Sequence, residues 1–328
     1  MNFEFKIASH QEKRVNHIKS NMKQKADLSV QIAGVKFSNP VLVASGTFGY
    51  GEEYGALIDL SKLGGIVTKS ITLNPREGNV PPRTVETPSG MLNAIGLANV
   101  GVDRFIQEEL PFLRKQKTRV IVNVAGSTIQ EYVEVVKKLS RYEGIDMLEI
   151  NISCPNVEEG GMAFGSRCEM AHSCIKQVKA HSPLPIIAKL SPNVTNIVEI
   201  ACAVEKAGAD AISLINTLVG MAIDVEKRRP ILGNITGGLS GPAIKPVALA
   251  MVWKVAKAVE VPVIGIGGIM STQDALEFFL AGACLIQIGT GNFVDPQTSI
   301  KIVNGLNGYL KEKGIKRITD LVGKLKTD

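Results

Sequence analysis

The chain has 328 residues, 45% of them hydrophobic, and its 37 Lys and Arg against 31 Asp and Glu give a formal net charge of +6 at pH 7. This composition excludes disordered and fibrous proteins, and the length fits two average domains or one α/β barrel. The longest apolar run, residues 261–270, contains three glycines and is too short to span a membrane. We therefore expect a water-soluble cytoplasmic protein with no membrane partner.

The excess positive charge lies at the N-terminus. Residues 1–26 carry six Lys or Arg and two Glu, which leaves the remainder close to neutral. A basic tail without the apolar region of a signal peptide is usually a solvated extension. We predict a basic N-terminal extension over residues 1–26, a candidate for disorder, then a single domain over residues 27–328, and no nucleic-acid partner.

Short apolar segments rich in Val and Ile recur along the chain, and each ends in Gly, Ser, Thr or Asn. Continuous apolarity is typical of parallel strands that are buried on both faces. The eight predicted strands are PVLVASG from Pro40, GGIVTKS from Gly64, RVIVNVAG from Arg119, MLEINIS from Met147, PIIAKLS from Pro185, AISLINT from Ala211, PVIGIGG from Pro262 and LIQIGT from Leu285.

Helical patterns separate these strands. A helix is predicted over residues 129–139, because Thr128 precedes it and Glu131 follows three residues later, as in a capping box. A second helix, over residues 275–280, begins in the same way. Ala-Gly-Ala motifs before the sixth and eighth strands indicate glycines that end helices.

Eight βα units predict a (β/α)8 barrel, that is, a TIM barrel, with an open doubly wound sheet as the alternative. The spacing between strands is longest after the second, fourth and sixth. The resulting long loops, roughly residues 71–98, 154–167 and 218–242, emerge at the carboxyl ends of the strands. Barrel enzymes keep their chemistry at that face.

The last two strands end in glycine clusters, residues 265–268 and 289–291. Loops after the seventh and eighth barrel strands commonly bind phosphate through backbone N–H groups, and glycine permits close approach. These glycines could instead serve only tight turns. The spacing is not Gly-x-Gly-x-x-Gly, so a dinucleotide-binding Rossmann unit is not supported.

Two lysines, Lys69 and Lys189, follow strands at the same face. A buried lysine needs an anionic partner or loses its charge, so the pair indicates an anionic ligand or a Schiff-base nucleophile. Either one alone could equally be a salt-bridged structural residue.

The five cysteines show neither Cys-x-x-Cys spacing nor a paired His pattern, which argues for a reducing cytosol and against disulfides or structural zinc. We interpret four as inert small hydrophobic residues: Cys168, Cys174, Cys202 and Cys284. Cys154 differs, because it follows the fourth strand, where a modestly activated thiol can act as base or nucleophile. None of the four His ends a strand, which disfavours a Cys–His hydrolase.

Asparagines also cluster at the predicted barrel mouth. A side-chain amide offers donors and an acceptor, so several together suit a heterocycle with alternating N–H and C=O groups. Each alone could be a turn former. The residues are Asn93, Asn123, Asn151, Asn156 and Asn216.

An ordered set of motifs over about residues 27–326 resembles the dihydroorotate dehydrogenase family, class 1. The motifs are SGTFG, VTKS, NPREGN, NAIGLAN, INISCPN, AKLSPN, INT, GGLSGPAIKP, GIGGI and QIGT. The long sixth loop resembles the class 1B catalytic subunit more than the fumarate-using class 1A enzyme. Class 2 enzymes carry Ser in place of Cys154 and an apolar N-terminal helix, and these two differences disfavour class 2.

The resemblance implies FMN in the barrel mouth and oxidation of dihydroorotate to orotate in pyrimidine (UMP) biosynthesis. The FMN phosphate would lie on Gly267, Gly268, Gly289 and Thr290. The rest of FMN would contact Ser45, Lys69, Ser70, Asn123, Asn151, Lys189, Ile215 and Gly241. The substrate would contact Lys69, Asn93, Ala94, Ile95, Gly96, Leu97, Asn151, Asn156, Asn216 and Thr217. Cys154 would be the catalytic base.

Class 1B resemblance further implies a partner subunit that carries FAD and a 2Fe–2S cluster and passes electrons to NAD⁺. Two catalytic chains would form a homodimer within a heterotetramer. This chain has neither an iron–sulfur cysteine cluster nor a dinucleotide fingerprint. The alternatives are class 1A, a Schiff-base lyase on the same barrel, and a barrel that binds a phosphorylated ligand without catalysis.

Overall fold

In the computed structural model, which describes residues 26–153 and 164–327, parallel strands close into an eight-stranded barrel. The strands of the described ranges are β1 (Val30–Ile32), β2 (Val35–Phe37), β3 (Val41–Val43), β4 (Gly65–Val67), β5 (Thr84–Thr87), β6 (Gly90–Asn93), β7 (Arg119–Val124), β8 (Met147–Asn151), β9 (Ile186–Lys189), β10 (Ala211–Leu214), β11 (Leu218–Met221), β12 (Ile223–Asp224), β13 (Arg229–Pro230), β14 (Thr236–Ser240), β15 (Val263–Ile266) and β16 (Ala283–Ile288). The barrel order is β3, β4, β7, β8, β9, β10, β15 and β16, with β16 pairing back to β3.

These eight barrel strands are the eight apolar segments predicted from the sequence. Almost every residue in them is buried, because the barrel interior covers one face and the helices cover the other. The (β/α)8 prediction is confirmed, and the open-sheet alternative is wrong.

Helices connect the barrel strands. They are α1 (Glu52–Gly55), α2 (Val102–Arg104), α3 (Leu110–Leu113), α4 (Ile129–Leu139), α5 (Cys168–His181), α6 (Ile197–Lys206), α7 (Lys245–Ala256), α8 (Thr272–Ala281), α9 (Gly291–Val294) and α10 (Thr298–Lys313), and a π-helical turn, Phe105–Glu109, joins α2 to α3. No helix in the described ranges is both long and apolar enough to cross a bilayer.

Both helix starts predicted from capping signals are confirmed. Thr128 Oγ1 accepts the Glu131 N–H at 3.1 Å, and Ser271 Oγ accepts the Asp274 N–H at 3.2 Å. Gly282 ends α8 with φ 117°, in the left-handed region where glycine carries no steric penalty.

A four-stranded antiparallel sheet, in the order β11, β14, β6 and β5, stands over the barrel mouth. It is built from the long segments that were predicted after the second and sixth barrel strands. The strands within these segments were not predicted, because short strands such as Thr236–Ser240 contain too few apolar residues to show a strand period. The sheet has a small core of its own, formed by Leu92, Ala94 and Leu232.

The opposite end of the barrel is covered by the β1–β2 hairpin. Its turn residues, Ala33 and Gly34, have φ of 47° and 81°, as tight hairpin turns require. Arg119, the first residue of β7, donates from Nε to the Lys36 carbonyl at 2.7 Å, which holds the hairpin at the amino ends of the strands. Phe37 is fully buried there.

Candidate functional site

A cavity of about 470 Å³ opens at the carboxyl ends of the barrel strands. This volume lies in the usual range for small-molecule sites. One row of the four-stranded sheet forms a wall of the cavity: Val219 pairs with Gly238, Gly238 with Asn93, and Asn93 with Thr84. The site therefore has a floor of barrel strand ends and a wall of antiparallel sheet.

The cavity brings together most of the residues predicted to bind cofactor or substrate. Those that line it are Ser45, Lys69, Ser70, Asn93, Ala94, Ile95, Gly96, Leu97, Asn151, Lys189, Ile215, Asn216, Thr217, Gly241, Gly267, Gly268, Gly289 and Thr290. Asn123 lies one layer behind the lining. Cys154 and Asn156 lie outside the described residues.

The predicted phosphate-binding end is closely packed backbone. Gly267 and Gly268 follow β15 with φ of +127° and +71°. A Cβ on Gly268 would lie 2.7 Å from Lys245 Cβ, 2.8 Å from Lys245 N and 2.9 Å from the Gly241 oxygen. Gly289 is less constrained, since a Cβ there would meet no heavy atom closer than 3.7 Å. Glycine is thus required at position 268, where the β15 end meets the start of α7.

The barrel floor contains a buried carboxylate that was not predicted from the sequence. Glu149, on β8, is fully buried, and its oxygens accept hydrogen bonds from Asn123 Nδ2 at 2.7 Å, Gln287 Nε2 at 2.6 Å and Ser213 Oγ at 2.9 Å. Lys189 Nζ lies 3.4 Å from the same group. The charge of Lys189 is therefore balanced within the barrel.

Lys69 differs from Lys189 in having no such partner. It follows β4, lines the cavity and is only partly exposed. Among the described residues, no carboxylate oxygen lies within 4.0 Å of the Lys69 ammonium, the distance that defines a salt bridge. An uncompensated cation at a cavity mouth is suited to an anionic ligand.

Amide side chains fix one another at the other end of the cavity. Asn216 Nδ2 donates to Asn151 Oδ1 at 3.4 Å, while Asn216 Oδ1 accepts the Thr217 N–H at 2.8 Å. Asn93 Nδ2 donates to the Gly238 carbonyl at 3.3 Å. Each amide retains further donors or acceptors, because a side-chain amide has two of each.

Asn193 is a second functional candidate that was not predicted from the sequence. Its Nδ2 donates to the Thr217 carbonyl at 2.9 Å, and its Oδ1 accepts the Val219 N–H at 3.0 Å. It thereby ties the end of β10 and the start of β11 to the loop after β9. Its signal was its place in AKLSPN, just beyond a strand end.

Two of the four described cysteines have a raised pKa. Burial raises the pKa of the Cys284 thiol, and burial together with Glu199 and Glu169 raises that of Cys168. A raised pKa keeps the thiol protonated and weakly reactive. Within the described ranges, no group of three His, Cys, Asp or Glu side chains could hold a metal ion.

The fold and the site together define a (β/α)8-barrel enzyme with a small-molecule cavity at the carboxyl ends of its strands. Residues 27–310 match the family model described as dihydroorotate dehydrogenase. The chain belongs to the dihydroorotate dehydrogenase family.

Relatives of high identity carry a more specific name, "Dihydroorotate dehydrogenase B (NAD(+)), catalytic subunit". The protein of that name from Geotalea uraniireducens is 59% identical over 303 residues, which cover 92% of this chain and 99% of the relative. That from Bacteroides thetaiotaomicron is 55% identical over 300 residues, again 92% and 99% of the two chains.

Among solved structures, DHODH from Eimeria tenella, crystallised in complex with ferulenol, has a similar fold. The TM-score is 0.75 at 22% identity, covering 92% of this chain and 89% of that one. At this identity the likeness concerns the fold alone.

Proposed function

We propose that this chain oxidises dihydroorotate to orotate in pyrimidine biosynthesis, as a catalytic subunit that binds FMN. The observation that carries the proposal is the 59% identity, over 92% of the chain, to a protein named dihydroorotate dehydrogenase B (NAD(+)), catalytic subunit. The cavity supports it, since glycine backbone, cations and amides lie in one opening.

The residues at the floor fit FMN. The backbone of Gly267, Gly268, Gly289 and Thr290 lines one end of the cavity, where its N–H groups would bind the FMN phosphate. Lys189 Nζ donates to Ser45 Oγ at 3.1 Å and lies 3.4 Å from Glu149 Oε1. These two contacts use two of the three N–H donors of the Lys189 ammonium. The remaining donor would bind the flavin ring. When bound, FMN supplies a two-electron acceptor for hydride.

The substrate would lie between the floor and the wall. Lys69 would pair with the carboxylate of dihydroorotate, because it has no carboxylate partner in the described chain. Asn93, Asn151, Asn216 and Thr217 would bind the ring N–H and C=O groups, with the backbone of residues 94–97 beside them. Asn156 would complete this set.

Cys154 is proposed as the base that accepts the proton lost by dihydroorotate. Changing Cys154 to Ser should leave FMN binding intact but lower turnover at neutral pH by about 100-fold or more, because a hydroxyl is a poorer base than a thiol. The exposed Cys202 thiol offers a matched control, and Cys202→Ser should be neutral. Near-normal turnover of the Cys154→Ser variant would contradict the assignment.

The electron acceptor and the assembly are also proposed. The word "subunit" in the names of the relatives supports a partner chain. We propose that this partner carries FAD and a 2Fe–2S cluster and passes electrons to NAD⁺, within a heterotetramer built on a homodimer of catalytic chains. A cytoplasmic location stays a prediction.

A visible spectrum tests the whole proposal. Flavin absorbance should bleach with anaerobic dihydroorotate and recover with NAD⁺ only when an iron-containing partner is present. Recovery of the isolated chain with fumarate would indicate class 1A. A colourless chain that FMN cannot reconstitute would contradict a flavoenzyme, and a borohydride-trapped adduct would favour the lyase.

A further inference from the structure

Glu149 is an unusual side chain for the centre of a barrel, where branched apolar residues normally pack. It is fully buried and receives four donors from strands β7, β9, β10 and β16. Three of those donors are neutral, and only Lys189 carries a charge. A buried carboxylate and a buried ammonium each depend on the other, since either one alone would be an uncompensated charge.

One arm of this network reaches the cavity through Lys189. Its side chain is 5% exposed, and its ammonium lies between Glu149 and the Ser45 hydroxyl at the cavity lining. Without Glu149, no carboxylate of the described residues would lie within salt-bridge distance of this ammonium. Glu149 therefore holds a positive charge at the floor.

A second arm reaches the cavity through Asn123 and Ser70. An ionised carboxylate only accepts hydrogen bonds, so Asn123 must turn its NH₂ toward Glu149. The Asn123 oxygen then faces Ser70, whose hydroxyl donates to it at 2.6 Å. The Ser70 hydroxyl hydrogen is thus used in this bond, so the Ser70 oxygen can only accept hydrogen bonds from a ligand in the cavity.

We infer that Glu149 is a positioning residue that fixes the polarity of the cavity floor, with Lys189 as a charged donor and Ser70 as an acceptor. The inference rests on the proposed function, because the ligand that would contact Lys189 and Ser70 is the flavin of FMN. Lys189 held in place stabilises negative charge that develops on the flavin during reduction, so Glu149 raises the reduction potential of bound FMN through Lys189.

The test compares the full-length chain, loaded with FMN, with its Glu149→Gln and Glu149→Asp variants. We expect the reduction potential of bound FMN, from a spectroelectrochemical titration, to shift downward in Glu149→Gln. FMN affinity, from quenching of flavin fluorescence, should weaken by about tenfold, as for a lost charged hydrogen bond. Glu149→Asp keeps the charge and should recover most of the potential.

Two controls separate positioning from folding. Glu205, which is partly exposed, also accepts hydrogen bonds, from the backbone N–H groups of Glu260 and Val261, but it does not line the cavity, so Glu205→Gln should leave the potential unchanged. If Glu149→Gln does not fold, a smaller downward shift in Glu149→Asp decides the question.

A potential that is unchanged or raised in an FMN-loaded Glu149 variant would overturn the inference and leave the proposed function standing. A wild-type chain that neither binds FMN nor bleaches with dihydroorotate would overturn both.

Discussion

The floor and the wall of the cavity are built on different principles. Lys189 at the floor and Asn123 just behind it belong to parallel barrel strands, and a buried hydrogen-bond network joins them to Glu149. The wall consists of two loops that pair as antiparallel strands, and Asn193 ties it to the barrel through two bonds to backbone. Changes in the floor should therefore affect cofactor and stability, whereas changes in the wall should affect the substrate.

The largest expected effect is at Gly268, the tightly packed glycine that follows β15. Gly268→Ala places a Cβ 2.8 Å from the Lys245 nitrogen at a φ of +71°. We expect a loss of roughly 3 kcal/mol in the free energy of unfolding, from overpacking and a left-handed backbone, and loss of FMN binding. Chemical denaturation and flavin retention on a desalting column would measure these effects.

Gly289→Ala is the matched control for that substitution. Its Cβ would meet the nearest atom at 3.7 Å, an ordinary contact, so stability should change by less than about 1 kcal/mol. Equal losses of unfolding free energy in the two variants would show that Gly268 is no more constrained than Gly289.

The intermediate effect is at the wall. Asn193→Ala removes the two bonds that hold Thr217 and Val219. We expect the KM for dihydroorotate to rise by about tenfold, with kcat and FMN content little changed, because each lost bond is worth about 1 kcal/mol. Steady-state kinetics of the reconstituted enzyme would show the split between KM and kcat.

Asn196→Ala serves as the control for the wall. It removes a side-chain bond to the Val198 N–H at the start of α6, at a cost in stability of about 1 kcal/mol, but Asn196 does not line the cavity. A rise in KM as large as that of Asn193→Ala would mean that loosening the helix, and not the wall, weakens substrate binding.

The smallest effect concerns the salt bridge between Lys245 Nζ, at the start of α7, and Asp274 Oδ1, on α8, which lie 2.6 Å apart. Burial alone would raise the pKa of the Asp274 carboxyl, but hydrogen bonds from Lys245, from the Met270 N–H and from Ser271 hold it below its ordinary value of 3.8. A carboxyl with a lowered pKa in the folded state stabilises the fold above about pH 4, and that contribution is lost as the pH falls through the lowered value.

Asp274→Asn should therefore cost about 1 kcal/mol at pH 7 and progressively less as the pH is lowered toward 3. Urea denaturation at several pH values would measure the difference between variant and wild type. A difference that stays constant down to pH 3 would contradict a role for the Asp274 charge.

The barrel was predictable because each of its strands carries its own signal. Val120–Val122 and Val263–Ile266, for example, contain no polar side chain, and the glycines and lysines that follow such strands must meet at one face. Most predicted site residues accordingly line one cavity.

Glu149 and the wall were not predictable in the same way. Within MLEINIS the single Glu is the one charge in a strand expected to be buried, but its need for four partners becomes visible only when β7, β9, β10 and β16 surround it. The wall depends on the pairing of Gly238 with Asn93, which lie far apart in the sequence, and a local pattern carries no information about such a contact.

The small separate core of the wall has a consequence for motion. Leu92, Ala94 and Leu232 pack together apart from the main core, and Leu239 contacts both. A unit with so little buried surface opens at a lower free energy than the barrel beneath it. Backbone amides of the wall should then exchange with solvent through local openings while barrel amides stay protected. The molecule can thus admit and release a small ligand at the wall without loosening the barrel framework that we propose holds FMN.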